Sequence, residues 1–223
     1  MCGRFVTVIP ADRLRRLFNL IEVPQLEPRY NVTPSQLVGV VRNQGDHNRF
    51  DLLKWGLVPG WAKDPDIGSH MINACSETVD EKPAFRHAIK YRRCIIPASG
   101  FYEWQIDGEH HKQPWYIRMA DDSPMCTAGL WESWKAADGS ELESFAIVTT
   151  AANKLVAPIY GRMPVILHPD SYNLWMSHNM HDPDLMQQLL QPFPPDGMSA
   201  CRVTDLVNNP HNDSPACIAS QDA

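Results

Sequence analysis

Apolar residues in this chain fall mostly at alternate positions or in short unbroken runs, the two patterns that half-buried and fully buried strands produce. Residues 36–42 and 49–55 carry such patterns on either side of Gly45-Asp46, which predicts a hairpin. Further strands are predicted at 4–8, 93–97, 101–106, 114–119, 125–134, 144–150, 163–167 and 199–204, with Asp107-Gly108 and Asp138-Gly139 supplying two of the turns. Helical spacing is rarer. Leu14, Leu17 and Phe18 share one face of a segment from 11 to 20 behind Pro10, and Pro83 opens a short helix that places Phe85 and Ile89 together. Two more helices are expected near 170–177 and 184–190. Helices inserted between hairpins, without βαβ alternation, predict an α+β fold. The expectation is a single domain over residues 1–223, an antiparallel, partly barrel-like sheet with peripheral helices.

Composition narrows the class. Apolar content of 43% and charged content of 21% are those of an ordinary globular protein. Apolar runs such as 37–41 are strand-sized and too short to span a bilayer. Arg13, Arg15 and Arg16 interrupt the amino-terminal region where a signal peptide would need an apolar stretch, so a cytoplasmic protein with no membrane partner is expected. The six cysteines form no Cys-x-x-Cys, which argues against a zinc site, and Cys94, Cys126, Cys201 and Cys217 read most simply as packing residues. A net charge of −6 argues against nucleic-acid binding through bulk charge but leaves room for a local basic groove.

The most reactive feature is the opening Met1-Cys2-Gly3-Arg4-Phe5. Met1 is normally trimmed when a small residue follows, and trimming would leave Cys2 with a free α-amine and a thiol on adjacent carbons. Such a 1,2-aminothiol attacks one aldehyde twice, first as amine and then as thiol, closing a thiazolidine. The ordinary pKa values of the two groups, roughly 8 and about 8.5, leave useful fractions of both nucleophilic near neutral pH. The plainer reading is a thiol that simply packs.

Four other segments carry candidate chemistry. In 71–78, Asn73 and Glu77 stand four apart and would face one cleft, although spacing alone favours a capped helix start at Asn73 or Ser76. In Gly100-Phe101-Tyr102-Glu103-Trp104, alternation puts Glu103 opposite Tyr102 and alongside Phe101. A carboxylate buried among aromatics has a raised pKa suited to general acid–base work, whereas an exposed strand position would leave it ordinary. Arg162, ahead of the strand at 163–167, suits either a phosphate or a carboxylate partner. Trp55 and Trp61 flank a Gly/Pro loop; Trp55 reads as a core anchor, and Trp61 offers a stacking surface for an unpaired base.

Taken together, these segments resemble the SRAP family, the SOS-response-associated peptidase domain that captures abasic sites in DNA. The resemblance runs nearly end to end: Met1-Cys2-Gly3-Arg4-Phe5, Tyr30-Asn31-Val32-Thr33-Pro34, Trp55-Gly56-Leu57-Val58-Pro59-Gly60-Trp61, Ile72-Asn73-Ala74 with Glu77-Thr78, and Arg93-Cys94-Ile95-Ile96-Pro97-Ala98. It continues through Phe101-Tyr102-Glu103-Trp104, Ile147-Val148-Thr149-Thr150, Arg162-Met163-Pro164-Val165-Ile166-Leu167 and Val207-Asn208-Asn209-Pro210. Their joint occurrence in this order is highly specific. The resemblance implies that Cys2, freed of Met1 by self-processing or an aminopeptidase, condenses with the aldehyde of an opened abasic sugar. Asn73 would orient the sugar or the Cys2 terminus, and Glu103 would shuttle protons during ring opening and imine formation. Arg4 and Arg162 would hold flanking phosphates, Trp61 would stack near the lesion, and Glu77 and Thr149 would belong to the same single-stranded DNA groove. No metal or cofactor is expected, the partner is single-stranded DNA containing abasic sites, and a monomer is expected.

Two segments depart from the family pattern. Tyr160-Gly161-Arg162 stands where the family usually reads His-Asp-Arg, and the family's histidine is associated with opening the sugar and reversing the crosslink. A phenol is a poor base at neutral pH but still donates a hydrogen bond, so slower opening is expected, with release either impaired or left to Glu103 alone. Cys75 replaces the arginine of the usual Asn-Ala-Arg, which predicts weaker, less salt-sensitive DNA binding. Two other functions stay open. An amidotransferase of the N-terminal nucleophile class also begins Cys-Gly, but its Asn-Gly oxyanion segment has no counterpart in this sequence. A noncatalytic single-stranded DNA-binding module is the other. No serine or cysteine has a histidine partner in a recognisable motif, so no general protease site is expected.

Overall fold

The computed structural model describes residues 2–106, 108 and 112–222, so the expected Asp107-Gly108 turn lies partly outside the described residues. In chain order the elements are β1 (Phe5–Thr7), α1 (Ala11–Phe18), β2 (Arg29–Val32), β3 (Leu37–Asn43), β4 (Asn48–Trp55), β5 (Asn73–Cys75), α2 (Ala88–Tyr91) and β6 (Arg93–Ala98). Then come β7 (Gly100–Ile106), β8 (Lys112–Met119), β9 (Met125–Lys135), β10 (Glu141–Ala151), β11 (Arg162–Pro164), α3 (Tyr172–Met176), α4 (Pro183–Leu189) and β12 (Met198–Arg202). The fold is α+β.

Two sheets carry the architecture. One runs β12-β8-β7-β1-β2; the other runs β11-β10-β4-β3-β6-β9, with β5 added to β10. Because β10 also pairs antiparallel with β9, from Glu141↔Lys135 to Ile147↔Gly129, strands β10, β4, β3, β6 and β9 close on themselves. Closure removes the free edges that would otherwise invite pairing with another chain. The pairings of β10 with β4 and with β5 are parallel, against the all-antiparallel expectation.

Strand alternation sorts side chains to the two faces of this ring. Val40, Leu53, Cys94, Ile96, Phe145 and Ile147 join Phe5, Phe101 and Ile117 of the first sheet in one cluster. The Phe5 ring lies 4.9 Å from Trp55, which stacks in turn on Phe145 at 6.3 Å, so aromatic contacts tie the two sheets together. Val41, Ile95, Ala128, Leu130, Ala146 and Val148 face the other way and pack with Leu14 and Phe18 of α1 and Tyr172 and Trp175 of α3. No helix among the described residues is long and apolar enough to cross a membrane.

Several element boundaries differ from expectation for local reasons. Helix α1 stops two residues early because Asn19 takes the left-handed conformation (φ 50°) that ends helices. Only Ala88–Tyr91 of the segment after Pro83 is helical, and its end is fixed by Arg93. That buried guanidinium donates to the carbonyls of Ile89, Lys90, Trp175, Ser177 and Met180, so one side chain satisfies groups at the ends of both α2 and α3. Strand β11 ends at Pro164, whose nitrogen carries no N–H; beyond it Val165 N–H donates to Val148 O at 2.8 Å, and Ile166 forms a bridge with Thr127. The strands β2 and β5 were not expected, and Asn73 opens a strand where the spacing favoured a helix cap.

The loop after β4 carries Trp61 and is pinned at its base. The Gly56 N–H donates to Phe145 O at 2.9 Å, that of Leu57 to Met71 O at 3.0 Å, and that of Val58 to Ser144 Oγ at 2.8 Å. Gly56 has φ 120°, and a Cβ there would lie 2.6 Å from Gly68 O. Only glycine accommodates both the conformation and the backbone crossing. Gly56→Ala is therefore expected to destabilise the fold by about 2 kcal/mol or more. The check is a urea titration, in which the midpoint should fall while the slope is unchanged.

Candidate active site

Cys2 is buried with 1% of its surface exposed, in the cluster that joins the two sheets. Its carbonyl accepts a hydrogen bond from Asn73 Nδ2 at 3.0 Å. Asn73 is placed by two constraints. It pairs with Ile147 at the point where β5 takes up the ladder of β10, and the preceding carbonyl, Ile72 O, accepts from the Trp55 indole N–H at 3.0 Å. The other amide atom, Asn73 Oδ1, is buried and has no hydrogen-bond partner among the described residues. A buried acceptor left in this state costs roughly 1–3 kcal/mol, so the site holds capacity for one more donor.

Glu103 comes from the other sheet, on β7 opposite Trp115 of β8. Its strand neighbours part company: Phe101 joins the cluster containing Cys2, while Tyr102 packs in a separate cluster with Val6, Tyr116 and Val207. Glu103 is 3% exposed, and burial raises its pKa to about 7. Burial also pushes the Cys2 thiol well above the usual range, and the negative charge of Glu103 pushes it further. The backbone N–H of Arg4, hydrogen-bonded to Cys2, opposes both effects. Cys2 is thus held through its carbonyl by the Asn73 amide of β5, and its thiol lies within electrostatic reach of the Glu103 carboxyl of β7.

A second cluster lies further along β10. The registers Thr149↔Cys75 and Thr149↔Pro164 set β5, β10 and β11 abreast. Arg162 donates to both carboxylate oxygens of Glu77, at 2.6 and 2.8 Å, and to Thr149 O at 2.7 Å. Its Nε is buried and has no partner among the described residues. The ion pair holds the Glu77 carboxyl below the usual range and raises the Arg162 guanidinium, and Cys75 and Tyr160 lie close enough to contribute to the latter. Tyr160 stands just before β11 with 37% of its surface exposed.

The remaining candidates are placed differently. Trp61 is 60% exposed on the pinned loop. Arg4 turns to the protein: its guanidinium donates to Asn31 Oδ1 at 2.9 Å and to Val207 O, and it lies over the Trp104 ring at 5.9 Å. Sequence reasoning passed over Asn31 as one residue of a motif. A fully buried asparagine between strand residues is a signal in itself, because its amide must be satisfied internally. No group of three or more histidine, cysteine or carboxylate side chains suited to a metal ion occurs among the described residues.

Comparison with known proteins places this arrangement. The sequence model of the SOS response associated peptidase (SRAP) family matches residues 1–210. The chain is 44% identical to the abasic site processing protein YoqW of Bacillus subtilis, over 99% of its own length and all of that protein's. It is 27% identical to the abasic site processing protein HMCES of Rattus norvegicus, covering all of this chain and 76% of that one. A crystal structure of a protein from Bacteroides thetaiotaomicron superposes with a TM-score of 0.87 at 27% identity, over 98% of this chain and 99% of that one. The chain belongs to the SOS response associated peptidase (SRAP) family.

Proposed function

We propose that this protein processes abasic sites in DNA, capturing them in single strands as a covalent thiazolidine on Cys2. The observation that carries the reading is the buried Cys2 held through its carbonyl by Asn73 at 3.0 Å, with the buried Glu103 carboxyl close enough to act on its thiol. The names of the relatives at up to 44% identity support the substrate class. With Met1 attached, the Cys2 nitrogen is an amide and not a nucleophile. Hydrolysis of the Met1–Cys2 bond, by the protein itself or by an aminopeptidase, consumes one water and frees the amine. The amine then adds to the aldehyde carbon and expels water to give an imine. The thiol sulfur adds to the same carbon, and its proton passes to the nitrogen. One water is lost over the two additions, and no oxidant or metal enters the balance.

Glu103 suits the proton transfers. A carboxyl with a pKa of about 7 is present in both forms at neutral pH, so it takes a proton as the sugar opens and returns one as water leaves. The open acceptor Asn73 Oδ1 would receive a hydroxyl of the sugar or an N–H of the freed amine. Tyr160, where the family has histidine, would donate a hydrogen bond without serving as a base, which makes release slow. Thr149, Glu77 and Arg162 would line the strand's path beside Trp61, with Arg162 on a phosphate. The protein acts as a cytoplasmic monomer in this reading, as peptidase toward its own Met1 and as lyase if the captured sugar is cleaved.

Incubation with single-stranded DNA bearing one abasic site should give a heat-stable shifted band on a denaturing gel, absent for Cys2→Ala. Reversible, salt-dependent binding with no such band, in protein whose intact mass shows Met1 removed, would instead establish a noncatalytic DNA-binding module. That alternative draws its support from Tyr160 and Cys75.

Two further outcomes are expected. The crosslinking rate should rise with pH through an inflection near 7, as Glu103 becomes a base, and Glu103→Gln should lack that inflection. Because the folded carboxyl titrates near 7 and an unperturbed one at 4.5, the unfolded chain ionises it first, so stability falls as pH rises across that window. Thermal melting of Glu103→Gln between pH 4.5 and 7 should lose that component of the decline. For the phosphate contact, Arg162→Ala should lower the slope of log affinity against log salt by about one.

A further inference from the structure

Asn31 is fully buried at the end of β2, one residue from the Phe5↔Val32 pairing that joins β2 to β1. Its Oδ1 accepts from Arg4, and its Nδ2 lies 3.2, 3.1 and 2.8 Å from the carbonyls of Val207, Asn209 and Asn212. The same segment is tied down twice more. Asp213 accepts from the backbone N–H groups of Tyr30 and Asn31 and pairs with Arg29, while Asn208 Oδ1 accepts from the Trp104 indole at 2.7 Å. Arg4 joins this network through Asn31 and Val207. Its guanidinium is shared between Asn31 and Val207 O over Trp104, its carbonyl accepts from Tyr102 N at 3.0 Å, and its N–H reaches Cys2.

We propose that Asn31 and the carboxy-terminal segment from Val207 to Asp213 position the Cys2 nucleophile against Glu103 by fixing Arg4. Only Gly3 separates Arg4 from Cys2, and an unanchored glycine leaves a chain end free to swing. Arg4 fixed on both sides, by its side chain to Asn31 and by its backbone to the residue before Glu103, sets where Cys2 sits. Arg4 then serves as a positioning residue that faces inward, a role distinct from the phosphate contact implied by family resemblance. The proposal rests on the reading of Cys2 as the nucleophile and is independent of whether the aldehyde belongs to DNA.

The test is a double-mutant cycle in the full chain with Met1 removed, read with two aldehydes, single-stranded DNA bearing an abasic site and glyceraldehyde, which has no phosphate. Thiazolidine formation is followed by intact mass at saturating aldehyde. In the native background Glu103→Gln is expected to slow the reaction by about tenfold or more. With Arg4→Met or Asn31→Leu in place, the same change should cost less than about twofold, because a mispositioned Cys2 no longer uses Glu103. Arg4→Gln, a milder change, carries the test should those two fail to fold by circular dichroism, and Arg4→Lys should restore part of the dependence on Glu103. Effects of Arg4 and Glu103 that simply multiply would overturn the proposal, as would an absence of any Glu103 effect with both aldehydes. A reaction with glyceraldehyde that shows the coupling, with none on DNA, would uphold the clamp and sink the DNA reading.

Discussion

The long strand β10 has two edges of backbone donors and acceptors to satisfy, and no single neighbour runs its length. On one side β9 pairs as far as Ile147, and β11 takes over from Thr149; on the other, β4 pairs at Ser144 and Phe145, and β5 continues from Ile147. Buried main-chain polar groups must be paired, so each handover brings a new segment to the strand. Those segments are the ones that bear Asn73, Cys75 and Arg162. The site is therefore assembled on a hydrogen-bonded ladder, which holds side chains more rigidly than a loop would. The first sheet supplies Glu103 on β7, and the segment leading into its β1 supplies Cys2, where Phe5, Trp55 and Phe145 lock the two sheets together.

Within that junction the electrostatics are those of a shared, poorly solvated space. The negative charge of the Glu103 carboxylate raises the proton affinity of the Cys2 thiol, which burial has already raised. The arrangement resists holding two negative charges, so the thiol stays protonated while the carboxyl titrates near neutral pH. Arg162 and Glu77 show the contrasting case, opposite charges that hold each other ionised at a more open position.

Much of this was readable from residue order, but not all of it. The longer strands β3, β4 and β6 to β10 declare themselves by alternation or by apolar runs, because burial of one or both faces selects their residues. Strands β2 and β5 do not. Arg29, Asn31, Asn73 and Cys75 give no apolar pattern, and those segments are strands because neighbouring ladders need partners. Closure of the ring is likewise a property of pairing, invisible in any single segment. For the site, Cys2 and Glu103 stand out by chemistry and context. The partner of Arg162 could not be chosen from sequence, since a guanidinium fits a carboxylate and a phosphate equally well, and the fold supplies the carboxylate. Arg4 was misleading for a related reason. A charged side chain near a reactive terminus reads as a ligand contact, while one of the two groups that claim it, Val207 O, comes from some two hundred residues away.

Burial of the Cys2 sulfur has a consequence for durability. Peroxide and other soft electrophiles attack thiolates in proportion to their abundance and accessibility, and a covered, protonated sulfur presents little of either. Under the proposed capture reaction Cys2 is consumed when it reacts, so every molecule oxidised beforehand would be one lost to the pool. On that reading, enclosure of the sulfur acts as a preservative, keeping the thiol intact until its aldehyde arrives.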